Sequence, residues 1–153
     1  TPYVIGGLEY ANEVGAVTAR IAITYNSEVG KYATYPIEVE VGAEVLTGST
    51  RLKAGTAQKM ILNMISTGSM ILNGKAYENL MVDMTPTNKK LVQRAVNIVV
   101  QATGCEPSLA EEKLALSNGN SKEAIVMIIH DVDYDTALQL LSDANGFIRK
   151  IQK

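Results

Sequence analysis

The chain has 153 residues, enough for one ordinary domain with a real core. Its hydrophobic fraction of 46% and charged fraction of 20% exclude low-complexity disorder. The net charge of −2, with both signs spread along the chain, leaves no basic stripe for nucleic acid, whereas a phosphate ligand needs only one local positive site.

Thr1 is a good N-cap and Pro2 suits the first helical position. Val4, Ile5, Leu8 and Ala11 follow at helical spacing, and Gly15 is a natural stop. Residues 17–24 are rich in β-branched side chains and read as a strand. Residues 25–33 read as a loop that could hold one helical turn after Ser27, and 35–41 as a second strand. A polar, small-residue segment, 42–54, leads into the strongest helix signal. Met60, Ile61, Met64, Ile65, Ile71 and Leu72 recur on one face, and Gly74 closes the helix. Met60, Met64 and Met70 read as core. Residues 78–84 could form a short extended segment.

After Thr85-Pro86-Thr87 the strand signal ends. Short helices are predicted at 88–103, 108–117, 121–130 and 134–144. Ser108 with Glu111 reads as a capping box, and Asn120 with Glu123 as a similar start. Gly104, Gly119 and Gly146 punctuate the ends. The expected organisation is therefore an α/β part, 1–86, followed by a helical part, 87–153. A helix, two strands and a long helix follow the grammar of a parallel α/β sheet. Two or three parallel strands are too few for such a sheet, so further strands are expected to precede Thr1. The chain does not begin with Met and is expected to be a processed, cut or truncated product.

The single cysteine, Cys105, permits no intrachain disulfide, which fits a reducing, cytoplasmic setting. One Cys and one His, His130, argue against a structural zinc site. The richest apolar stretch, 60–72, is interrupted by Asn63, Ser66, Thr67, Gly68 and Ser69 and is no membrane span. No signal peptide is visible.

The segment TGSTRLKAGTAQK, 47–59, is the most informative. It sets the hydroxyls of Thr47, Ser49 and Thr50 and the cations Arg51 and Lys53 at a helix N-terminus, where free N–H groups and the helix dipole favour an anion. An ordinary N-cap followed by solvated charges explains the same residues about equally well. Glu44 follows a strand, where ligands of parallel α/β folds bind. It could act as an acid or base or hold sugar hydroxyls; a solvated loop glutamate is the commoner outcome. Thr1 could offer its hydroxyl and N–H to a phosphate, or simply cap its helix. His130 reads as a helix C-terminal residue, and Cys105 as a small packing residue.

The run EVLTGSTRLKAGTAQKMILNMISTGSMILNGKAYENLMVDM, 44–84, closely resembles the C-terminal part of the sugar isomerase domain in N-acetylmuramic acid 6-phosphate etherases. TPYVIGGLEYA resembles the helix after that family's phosphate-binding loop. ATGCEPSLAEEKLALSNGNSKEAIVMI and FIRK resemble its helical tail, which is similar to ubiquitin-associated domains. Glucokinase regulatory proteins share a version of the TGSTR segment. The resemblance implies a flavodoxin-like parallel sheet followed by a small all-α bundle. It implies cleavage of the lactyl ether of N-acetylmuramic acid 6-phosphate to N-acetylglucosamine 6-phosphate and D-lactate, without metal or other cofactor, in a homodimer. The family's two catalytic glutamates would precede Thr1, so this stretch alone is expected to be inactive and to need the missing N-terminal half. Thr1, Ser49, Thr50, Arg51 and Lys53 carry over as substrate-binding positions, and Glu44 is the one acidic candidate for catalysis. A non-catalytic sugar-phosphate sensor, or an interaction module built on the helical tail, are the other functions the sequence allows.

Overall fold

The computed structural model describes residues 1–152; Lys153, the last residue of the expected helical part, lies outside them. Among the described residues the fold is mixed α/β, with six α-helices and a small parallel sheet, which agrees with the α/β class expected from the sequence. Internal contacts divide the chain into two compact units, Thr1–Ser66 and Thr67 onward.

In the first unit, helix α1 spans Pro2–Glu13. Thr1 occupies its N-cap without a side-chain capping bond, and Pro2 opens the first turn, where its missing N–H costs nothing. Strand β1, Ala19–Ala22, pairs in parallel with β2, Tyr35–Glu38, from Ala19 opposite Tyr35 to Ala22 opposite Glu38. Both strands are shorter than the β-branched runs suggest, because each pairs only with the other and the ladder stops where the intervening loop turns away. That loop holds a 3-10 turn, Glu28–Tyr32, at the place expected after Ser27. Thr18 anchors the start of β1: its hydroxyl donates to Asn12 Oδ1 at 2.9 Å and accepts from the Thr34 amide at 3.0 Å.

Helix α2, Lys53–Leu72, crosses the division between the units and has no buried residue. Met60, Met64 and Met70, expected in a core, are exposed, as are Leu62, Ile65, Ile71 and Leu72. At 100° per residue these positions occupy most of the helix circumference, the pattern of a helix made to be covered on several sides. No layer of the described residues covers it. In the first unit only Thr18 and Arg20 are buried.

The second unit holds the core. A hairpin of β3, Ala76–Tyr77, and β4, Leu80–Met81, turns through Glu78 at φ 52°; of the segment 78–84 expected to be extended only Leu80–Met81 is strand, because Glu78 and Asn79 form the turn. Helices α3, Lys89–Thr103, α4, Pro107–Leu116, α5, Ser121–His130, and α6, Tyr134–Asp143, follow. Asn88 caps α3 by accepting from Leu91 N at 3.0 Å, and Asp133 caps α6 by accepting from Thr136 N at 2.8 Å. Helix α4 starts one residue before the expected Ser108 box. Pro107 takes the first helical position and Glu106 becomes the N-cap, with no side-chain capping bond. Val99, Ala110, Ala124, Ile125, Val126 and Ala137 are fully enclosed at the centre of the bundle. Gly74, at φ +67°, lies against the C-terminal segment so closely that a Cβ there would sit 2.7 Å from the Gly146 carbonyl oxygen.

This distribution of burial gives a direct expectation. Ile125→Ala should lower the stability of the helical unit by roughly 2–5 kcal/mol, the cost of a deleted core side chain plus its cavity. Urea unfolding followed by far-UV circular dichroism measures it. A midpoint that does not move would show that α5 is not the centre of this core.

Candidate functional site

Because β1 and β2 run in parallel, their carboxyl ends, Ala22 and Glu38, lie side by side. The loops that leave them, 23–34 and 39–52, therefore start from one edge of the sheet, the edge where ligands bind in parallel α/β folds.

The second loop carries most of the candidate residues. Gly42 and Gly48 adopt φ of +70° and +86°, conformations that glycine reaches without strain. They let the chain fold back so that Glu44 meets the start of α2. One Glu44 oxygen accepts from Lys53 N and the other from Ala54 N, each at 3.0 Å. The next two amides of the helix are also engaged: Gly55 N donates to Thr50 O at 3.1 Å and Thr56 N to Leu52 O at 3.0 Å. The positive end of α2 is thus closed by a carboxylate from its own chain. These two N–H donors, Lys53 first, hold the Glu44 carboxyl below its usual value of 4.5, and the Lys53 charge adds to the effect.

The side chains around this clasp differ in their freedom. Lys53 Nζ donates to Ala43 O at 2.8 Å, tying the loop from its other side. Ser49 Oγ accepts from Arg51 N at 3.3 Å. Thr50 and Arg51 are exposed, and the Arg51 guanidinium makes no hydrogen bond among the described residues. The structure therefore brings Glu44, Ser49, Thr50, Arg51 and Lys53 together on one loop and helix start. Thr1, at the N-cap of α1, makes no hydrogen bond to them among the described residues.

The first loop holds residues that the sequence did not single out. Glu38, at the carboxyl end of β2, accepts from Asn26 N at 2.8 Å and Ser27 N at 3.3 Å and pairs with Arg20 of β1. The Asn26 amide foremost, then that of Ser27 and the Arg20 guanidinium, hold the Glu38 carboxyl low. The available signal was a pair of opposite charges on two otherwise apolar strands, since Arg and Glu are rarely buried unless paired.

Among the described residues no group of three or more His, Cys, Asp or Glu is placed to hold a metal ion, and no helix is long and apolar enough to cross a membrane.

The sequence resemblance extends over nearly all of the chain. Across 150 residues, 98% of its length, it is 57% identical to the curated N-acetylmuramic acid 6-phosphate etherases of Exiguobacterium sp., Bacillus cereus and Bacillus anthracis. The chain spans about half the length of these relatives, 51% of each. No protein-family model matches it.

The clasp has a pH signature. A carboxyl with a depressed folded pKa stabilises the fold above its unfolded value and loses that contribution as pH falls through the folded one. Glu44→Ala should therefore melt below the parent protein at pH 7, and the gap should close as the pH drops below 4.5. Thermal melts at 222 nm over pH 3–7 follow this. A gap that persists unchanged at the acid end would mean that Glu44 acts by packing and not by charge.

Proposed function

We propose that the protein to which this chain belongs is an N-acetylmuramic acid 6-phosphate etherase: it cleaves the lactyl ether to give N-acetylglucosamine 6-phosphate and D-lactate. The observation that carries this reading is the 57% identity over 98% of the chain to proteins of that name. The reaction is an elimination followed by addition of water. Its acid and base glutamates belong to the half of the relatives that this chain does not span. Residues 1–86 serve as the C-terminal part of a sugar isomerase domain with a flavodoxin-like sheet, and the helical part from residue 87 as a ubiquitin-associated-like bundle. The exposed circumference of α2 fits a homodimer in which the remaining half also packs on this helix. The free Cys105 fits work in the cytoplasm.

Within this reading the chain's own residues bind and do not carry the chemistry. Arg51, exposed and uncommitted, supplies the charge that meets the substrate phosphate. Ser49 and Thr50 supply hydroxyls, Lys53 a second cation, and Thr1 an N-terminal cap facing the same substrate. Glu44 shapes the loop: with both oxygens on backbone donors, it is poorly placed to move a proton. A sensor without catalysis would share the binding residues, but the named relatives favour the enzyme.

The decisive assay is D-lactate release from N-acetylmuramic acid 6-phosphate. The full-length protein should turn over. The 153-residue chain alone should not, since each missing acid or base group is worth roughly 10²–10⁴-fold. A full-length protein that binds the sugar phosphate without releasing lactate would turn the reading to the sensor. In the full-length protein Arg51→Ala should weaken sugar-phosphate binding by roughly 1–3 kcal/mol, the scale of a lost hydrogen bond to a charged group. Calorimetry reads this directly. Unchanged affinity in both Arg51→Ala and Lys53→Ala would return these residues to the role of solvated helix-start charges.

A further inference from the structure

The loop at the carboxyl end of β1 carries polar groups that its own fold does not use. Asn26 has φ 53°, in the left-handed region. Asparagine usually enters that region with its side chain bonded to nearby backbone. Here the backbone N–H is held by Glu38 instead, and the Asn26 carboxamide makes no hydrogen bond among the described residues. The carboxamide is exposed at the mouth of a cavity of about 270 Å³, lined by Asn26, Ser27, Gly30, Lys31, Pro36 and Glu38. Ser27 Oγ on that wall is buried and has no partner. The Arg20 guanidinium packs against Gly30 and Glu38 of the same lining. Its side chain is 4% exposed, and its Nε and Nη1 donors are also without partners.

Burying a guanidinium with two idle donors is costly unless an acceptor reaches them. Glu38 does not fill that need, because Arg20 Nη2 and the amides of Asn26 and Ser27 already engage its carboxylate. With Glu38 neutralised by Arg20, the groups without partners on the cavity lining are the Ser27 hydroxyl and the Asn26 carboxamide. Lys31 adds an ammonium on the cavity wall, paired at 2.7 Å with Glu28. All of this stands on the sheet edge from which the 39–52 loop also departs.

We propose that the pocket between the β1 loop and Glu38 is a second anion subsite. Asn26 and Ser27 would contact an anionic oxygen group, phosphate or carboxylate, and the Arg20–Glu38 pair would position them. The proposal deepens the etherase reading, whose substrate carries both a phosphate and a lactyl carboxylate, and rests on it for the identity of the ligand. It assigns the two anionic groups of one substrate to two neighbouring loops, with Arg51 serving the other.

The test is a titration of the isotope-labelled 153-residue chain, read by amide chemical shifts, with inorganic phosphate in one arm and D-lactate in the other. The Asn26 and Ser27 amides should move saturably with at least one of them, and the arm that moves them identifies the group. Asn26→Gly keeps the left-handed backbone without strain and removes only the carboxamide. Ser27→Ala keeps the N–H to Glu38 and removes only the hydroxyl. Each should weaken the titration about tenfold, the scale of one lost hydrogen bond to a charged group. Absence of any saturable shift at Asn26 and Ser27, shifts confined to 49–54, or affinity unchanged from the parent chain in both variants would overturn the subsite. The titration is independent of turnover: a full-length protein that releases no D-lactate removes the etherase reading and leaves this result standing.

Discussion

Parallel pairing of β1 with β2 governs everything described at the candidate site. The ladder is only four residues long, yet it puts Ala22 and Glu38 side by side and so sends two loops off from one edge. Each loop is then folded back by a carboxylate. Glu38 gathers the amides of Asn26 and Ser27, and Glu44 gathers those of Lys53 and Ala54. Hydrogen bonds to an ionised acceptor are about twice as strong as neutral ones, which suits them to shaping loops that have little apolar surface to bury. A shift in the strand register would separate the two clasps and with them the two sets of donors.

The two units are held by different physics. From Val82 onward, aliphatic side chains interlock into a continuous core, and the helix caps at Asn88 and Asp133 finish it. Before residue 67 the structure depends on polar contacts, around Thr18, around Glu38 and around Glu44. Local stability follows apolar contact density, so the site sits on the less stable part of the chain. Loops that must admit a ligand are commonly drawn from that part.

How much of this was legible in the sequence depended on whether the signal was local. Helices α3 to α6 were legible to within a residue or two, because their caps and glycines act on neighbours in the chain; Pro107 displaced the Ser108 box by the same local chemistry. The strand pair and the turn after Ser27 were legible from β-branched runs and their interruption. The exposure of Met60, Met64 and Met70 was not, because an apolar residue looks the same in sequence whether or not something covers it. At the site, the grouping of Ser49, Thr50, Arg51 and Lys53 followed from their adjacency. That Glu44 closes α2 across nine residues, and that Glu38 reaches back to Asn26 across twelve, needed the tertiary fold.

The helix ends have a consequence for how the molecule ages. Asn73-Gly74, Asn118-Gly119 and Asn145-Gly146 are Asn–Gly steps, each closing a helix with a left-handed glycine. In such a pair the glycine nitrogen can attack the asparagine carboxamide, forming a cyclic imide that opens to aspartate or isoaspartate. Here all three nitrogens are occupied: Gly74 N donates to Ile71 O at 3.1 Å, Gly119 N to Leu114 O at 2.8 Å, and Gly146 N to Leu141 O at 2.7 Å. The bonds that end the helices also restrain the attacking atoms. Deamidation at these steps is therefore coupled to unfolding, and the accumulated charge of an old sample records how long its helix ends have stood open.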